Sequence, residues 1–489
     1  MKQHIYNILS KINGLLLGAF CVTLVMGFTS CGDFFDESSQ DEIKPSTVED
    51  LSAVLYADAY PYNVSVDDYL ILLTDEVQCN GLKYDGYATR MQVGQQVFCY
   101  NPEMFDGIES FIADENSWKE YYKLIKGCNV ILDYADDMAG DQLKKQYMKG
   151  QARFLRAYYY LRLAMIYCQP FNNGSPDVNL GVPLITSSHV TDQYPTRSTL
   201  RQAYNFIESE LMKAAEELDG YVPTTKYRVT KTAADVLLSR LYLYEEKWEN
   251  CVEYATKAIS EGPELTDFDY LKSKYRSVYD CDYSTEVVWN YAGKACYSAY
   301  FDLNQLYNYM LPWSASSKVV ALYDQTNDLR SQYLYVQKSA STGDYITKAS
   351  RSSTYDGDHG IRMAEAYLNR AEAYARLSME GKGDIGKGLE DINTLRETRY
   401  KNGTYTPVAF TESSLLLDFI LEERQRELIW EDGFRWMDIK RLGLSVTHTY
   451  TDANGMQTDY VLKSNDLLYA LPIPNDALLK NKNLIQNPR

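Results

Sequence analysis

Apolar residues recur at three- and four-residue spacing along most of this chain, a pattern that predicts amphipathic helices rather than strands. Leu417, Ile420, Leu421 and Leu428 mark one such face, which also carries Arg424; Ile207, Leu211 and Ala214 mark another between Leu200 and Leu218. Further helices are predicted for Trp118 to Met138, for Gln142 to Tyr167, and as a pair for Lys231 to Ile259. Within that pair Leu238 and Tyr242 are large and Ser239, Cys251 and Ala258 are small, and small residues at such positions let two helices approach closely. A second copy begins at Met363, with Ala371 and Tyr374 in the places of Ser239 and Tyr242, and returns through Gly388 to Leu395.

This alternation of large and small positions, closed by Pro263, fits the tetratricopeptide pattern. The expected fold is mainly α: an α-α superhelix of tetratricopeptide-like pairs at about 116–168, 200–263 and 361–396, carrying long loops and a few short strands. No Pro/Ser/Gly-rich linker divides residues 51–489, so a single helical domain is expected there. Tyr158, Tyr159 and Tyr160 point three ways around one helix and are expected to be packing residues. Two stretches escape the helical pattern, residues 75–101 and 267–317, both rich in tyrosine and polar residues. Loops held on a rigid scaffold are where binding residues concentrate. Recognition of a sugar needs an aromatic face to stack on and hydrogen-bonding groups beside it. The residues offering that chemistry are Tyr84, Arg90 and Asn101 in the first stretch and Trp289, Tyr297 and Trp313 in the second.

The N-terminus adds an address. Lys2 and Lys11 precede an apolar run from Leu15 to Phe28 with no acid before Asp33, the composition of a secretory signal peptide spanning residues 1–30. Thr29 and Ser30 precede Cys31 as in a lipoprotein signal-peptidase site, so Cys31 is expected to become the lipidated N-terminus of a tether over residues 31–50. The chain carries a formal charge of -18 and no basic stripe, which excludes nucleic acid as the expected partner. Cysteines other than Cys21 and Cys31 show no Cys-x-x-Cys pair; a Cys79–Cys99 bridge is one pairing the spacing allows.

Two C-terminal segments carry a resemblance. Leu421 to Arg441 interleaves acids and arginines in a helical pattern broken at Gly433, where a left-handed residue would end the helix; Phe434 to Arg441 reads as a second short helix stopped by Gly443. Arg424 on the inward face needs a carboxylate such as Glu427 or Glu431. Together with Leu468 to Asn475 and Asn483 to Pro488, this resembles the C-terminal signature, here residues 411–489, of the SusD/RagB family of Bacteroidetes surface lipoproteins. In that reading Arg424, Glu427, Glu431 and Arg435 are structural, and Asp75, in a Thr-Asp-Glu sequence similar to one in the family, joins the ligand candidates. The acids after Cys31 resemble the family's surface-export signal. The resemblance implies a lipid-anchored outer-membrane protein, facing the cell exterior, that binds oligosaccharide and delivers it to a SusC-like TonB-dependent transporter. The same architecture serves peptide capture in the RagB-like branch, and a structural subunit or a glycan hydrolase is the remaining alternative.

The sequence offers little to a hydrolase. His189, His359 and His448 are scattered, with no Gly-x-Ser-x-Gly elbow and no His-Glu-x-x-His helix. The dense acids fall on helix faces, where they serve as solvated or ion-paired groups, so no catalytic residue is expected. No cofactor or metal is expected, and nothing in the pattern indicates a calcium site.

Overall fold

The computed structural model describes residues 45–61, 66–109, 116–291, 311–333, 336–338, 345–347 and 359–489. The signal peptide, Cys31, most of the tether and Tyr297 lie outside them. The compact body runs Ser46–Arg489. It starts ahead of Leu51 because Thr47 and Asp50 form a reciprocal capping box that opens the first helix, α1 (Val48–Val54), inside the stretch expected to be tether.

The body is built from helices that pack in succession. A short helix α2 (Ala88–Phe98) precedes the long series α3 (Ser117–Tyr134), α4 (Gln142–Tyr167), α5 (Leu200–Glu217), α6 (Lys231–Tyr244), α7 (Trp248–Glu261), α8 (Met363–Met379), α9 (Ile385–Glu397), α10 (Ser413–Glu427) and α11 (Phe434–Arg441). Each of α3 to α8 packs on the next, and α8 also meets α6, α9 and α10. This is the expected superhelix of paired helices. The small residues do what their spacing implies: Ser239 accepts from the Asn369 side chain at 2.9 Å and Cys251 donates to the Asn369 carbonyl at 3.4 Å, so α8 lies close against the α6–α7 pair. Tyr158, Tyr159 and Tyr160 are all fully buried.

The strands are short and paired in twos. β1 (Val77–Cys79) is antiparallel to β3 (Trp313–Ala315), β2 (Val287–Tyr291) to β4 (His359–Arg362), and β5 (Val446–Thr451) to β6 (Gln457–Leu462). Gly360 makes the β2–β4 pairing close: at φ +135° it carries no Cβ, and one built there would sit 2.0 Å from the Trp289 carbonyl oxygen.

The carboxyl end of α4 shows why the closing segment of the chain has its composition. A helix leaves its last carbonyls unpaired. Here Met165 and Cys168 carbonyls accept from the buried Lys440 ammonium, Ile166 from the Leu471 amide, and Tyr167 from the Asn487 and Arg197 side chains. Burial among carbonyls with no carboxylate beside it pushes the Lys440 ammonium down to about 7.

The charged corner at the end of α10 is buried as expected, with partners redistributed. Glu427 accepts from Arg330, Arg362 and Arg399 at 2.9 to 3.2 Å. Glu286 shares Arg362 and Arg399, Glu431 receives Arg362 and the Tyr279 hydroxyl, and Glu423 receives Arg330, Arg396 and Arg426. Burial alone would raise the Glu427 and Glu423 carboxyls, but the guanidinium groups outweigh it, holding Glu427 well below the usual carboxylate range and Glu423 at about 2. Arg424 is fully buried but takes neither Glu427 nor Glu431: its partners are Asp438 at 3.1 Å and Asn369 at 2.7 Å. The reason is the turn. α10 ends at Glu427 rather than at Gly433, and the left-handed residues Trp430, Asp432 and Gly433 fold α11 back, which carries Asp438 under Arg424.

Candidate ligand-binding face

The two stretches that escape the helical pattern meet. β1 comes from the first and β3 from the second, in register Val77↔Ala315, Gln78↔Ser314 and Cys79↔Trp313. Asn80 extends the pairing: its amide nitrogen donates to the Leu311 carbonyl and the Ser314 hydroxyl, both at 2.9 Å. Neither stretch is wholly loop. The first contains α2, whose Met91, Val93, Val97 and Phe98 are buried, and the second contains a helix at Phe268–Lys274 as well as β2 and β3.

Burial sorts the candidates. Trp313 was expected to stack on ligand and is instead fully buried between β3 and α2, where its indole N–H donates to the Arg90 carbonyl at 3.1 Å. Gly94 makes room for it, since a Cβ there would lie 2.6 Å from the indole ring. Trp289 is likewise fully buried, edge-on to Phe154 and Tyr158 at 5.4 and 5.1 Å. Both tryptophans face the core because each sits on a strand with buried residues on both sides, so neither offers a ring face to solvent. Asp75 is committed to Arg435 by two bonds of 2.7 Å. Burial would raise its carboxyl, but the guanidinium outweighs this and holds it below the usual value. Asn101 is a turn residue, its side-chain oxygen accepting from the Glu103 amide at 2.9 Å.

Tyr84 and Arg90 remain at the surface. The Tyr84 ring is 40 % exposed and meets Tyr87 edge to face at 5.3 Å, while the Arg90 guanidinium lies 5.5 Å from the Tyr87 ring centre. Gly86 permits the Tyr84 ring to lie over the short turn Asp85–Tyr87: a Cβ there would meet the ring at 2.3 Å. The amides of Gln78 and Asn80, bonded to each other at 3.0 Å, stand on the neighbouring strand. Sequence reasoning passed over those two, because a lone amide carries no signal until the strand pairing places it. The face thus combines an exposed aromatic ring and a guanidinium, chemistry that stacks on and hydrogen-bonds a sugar. Cys79 and Cys99 are both free thiols; burial pushes the Cys99 thiol up to about 12. Among the described residues no group of His, Cys, Asp and Glu is arranged to hold a metal ion.

Comparison with known proteins decides the family. The model for SusD-like proteins, described as starch-binding and associating with the outer membrane, matches residues 33–243, and the SusD family model matches residues 315–489. The chain belongs to the SusD/RagB family. The SusD-like protein P2 of Formosa agariphila is 24% identical over 423 residues, covering 76% of this chain and 79% of the relative. A SusD superfamily protein from Bacteroides thetaiotaomicron, solved by crystallography, superposes with a TM-score of 0.70 at 22% identity, over 91% of this chain and 100% of that one. A SusD-like carbohydrate-binding protein from Bacteroides vulgatus gives 0.67 at 22% identity, over 90% and 98%. The matched family is described as associating with the outer membrane, and among the described residues no helix is long and apolar enough to cross a bilayer.

Proposed function

We propose that this SusD/RagB chain is a non-enzymatic surface lipoprotein, anchored through Cys31, which captures oligosaccharide and delivers it to a SusC-like TonB-dependent transporter. The observation that carries the reading is the exposed Tyr84 ring, which meets Tyr87 edge to face at 5.3 Å with the Arg90 guanidinium 5.5 Å from the same Tyr87 ring. A ring face with a guanidinium beside it matches the alternation of apolar C–H faces and hydroxyls on a sugar. A hydrolase would need two carboxylates facing each other across a cleft. On this face Asp75 is instead tied to Arg435. The tether raises the local concentration of the transporter partner without added contact.

Calorimetric titration with a panel of neutral oligosaccharides tests the ligand class. Binding that is lost in a Tyr84→Ala, Arg90→Gln double variant of parental stability supports the reading. A chain that binds peptides and no glycan overturns it in favour of peptide capture. Purification from membranes tests the partner: a large β-barrel should accompany the parent and be absent when Cys31 is replaced by alanine.

A further inference from the structure

A second aromatic and cationic surface lies away from β1 and β3, at the turn between α5 and α6. It is built by a π-turn, Leu55–Ala59, closed by the Tyr60 amide bonding back to the Leu55 carbonyl at 3.1 Å. The wider turn brings residues four apart nearly into line, so Tyr56 and Tyr60 point the same way, their rings 5.9 Å apart. Gly127 of α3 permits the close approach, because a Cβ there would lie 2.2 Å from the Asp58 carbonyl oxygen. Tyr60 is anchored by donating to Gln151 at 2.7 Å and accepting from the Val229 amide at 3.2 Å. That second bond delivers Arg228.

The Arg228 guanidinium lies 3.8 Å from the Tyr56 ring centre and 4.7 Å from that of Tyr60. Its Nη1 donates to the Tyr227 carbonyl at 3.2 Å. Among the described residues it makes no ion pair, although the chain has 67 acids to 49 lysines and arginines. The stretch Gly220–Ala234 holds no acid at all. Its two lysines are engaged, Lys226 with the Ser284 carbonyl and Lys231 with Asp219 and Glu261. Tyr56 is 40 % exposed and Tyr227 38 %, and Tyr221 packs on Tyr147 at 4.9 Å beside them.

A guanidinium stacked on rings has its plane fixed while its N–H edge stays available, which suits a planar carboxylate approached edge-on. One isolated cation among tyrosines is too little charge for a phosphate backbone or an anionic membrane, both of which need several. We propose that Arg228, with Tyr56 and Tyr227, forms a second binding site that takes the carboxylate of an acidic sugar residue, a uronate, the exposed tyrosine rings packing against its C–H face. This site is separate from the Tyr84 face and stands or falls independently of it.

The test is titration of full-length protein in detergent with an oligogalacturonate, and with a neutral malto-oligosaccharide as control. Arg228→Gln should weaken oligogalacturonate binding at least about tenfold, a loss of about 1.4 kcal/mol, with malto-oligosaccharide binding unchanged. Added salt should weaken the parent more than this variant. If Arg228→Gln lowers the melting temperature, Arg228→Lys replaces it: charge is kept but the fork is lost, and several-fold weaker binding is expected. Oligogalacturonate binding should survive the Tyr84→Ala, Arg90→Gln double variant. Absence of binding by the parent, undiminished binding by a stable Arg228→Gln protein, or loss of binding in the double variant would each overturn the site.

Discussion

The charged corner and the Tyr84 face use the same residue types to opposite ends. In the corner, arginines are buried and held by several acceptors each: Arg362 alone reaches Glu286, Glu427 and Glu431. On the Tyr84 face the Tyr84 ring meets Tyr87 edge to face, the Arg90 guanidinium lies near the same Tyr87 ring, and both stand partly in water. Burying a charge is costly, and replacing one member of such a network strands the others, so the corner cannot change piecemeal. Exposed positions of this kind can vary residue by residue at small cost to folding.

Substitutions should separate the two regions most sharply. Glu427→Gln leaves Arg330, Arg362 and Arg399 short of a shared counter-charge and should destabilise the protein by about 3–5 kcal/mol in denaturant melts; a loss below about 1 kcal/mol would mean the network is not what holds the corner. Trp313→Ala opens a cavity beneath α2 and should cost about 3 kcal/mol; an unchanged melting midpoint with weakened glycan binding would return Trp313 to the ligand site. Acid should act on the corner next. The surrounding guanidinium groups hold Glu423 at about 2 in the fold against an ordinary 4.5, so its contribution is complete above about 4.5 and disappears as pH falls toward 2. A Glu423→Gln protein should therefore show a flatter acid limb than the parent. Smallest is Tyr84→Ala, which should move stability by less than about 0.5 kcal/mol while weakening oligosaccharide binding; a large stability loss would make Tyr84 part of the scaffold.

The helical pairs were legible in the sequence because their signal is local: Ser239, Cys251, Ala371 and Tyr374 recur at fixed spacing whatever surrounds them. The inward Arg424 was legible for the same reason, but its partner was not. Asp438 reaches it only through the left-handed turn at Trp430, Asp432 and Gly433, and two non-glycine residues in that conformation leave no sequence mark. The site was readable only as far as its segments. Trp289 and Trp313 have the composition of a sugar platform, and strand pairing turned them inward. The Arg228 clamp depends on a π-turn, a hydrogen-bonding shift of one residue that no periodicity announces.

The capping of α4 gives the chain an order of completion. The Asn487 side chain closes the carbonyl of Tyr167, 320 residues earlier. A central helix of the stack therefore waits for a residue made long after it, and a molecule cut off ahead of Asn487 would leave the carboxyl end of α4 uncapped.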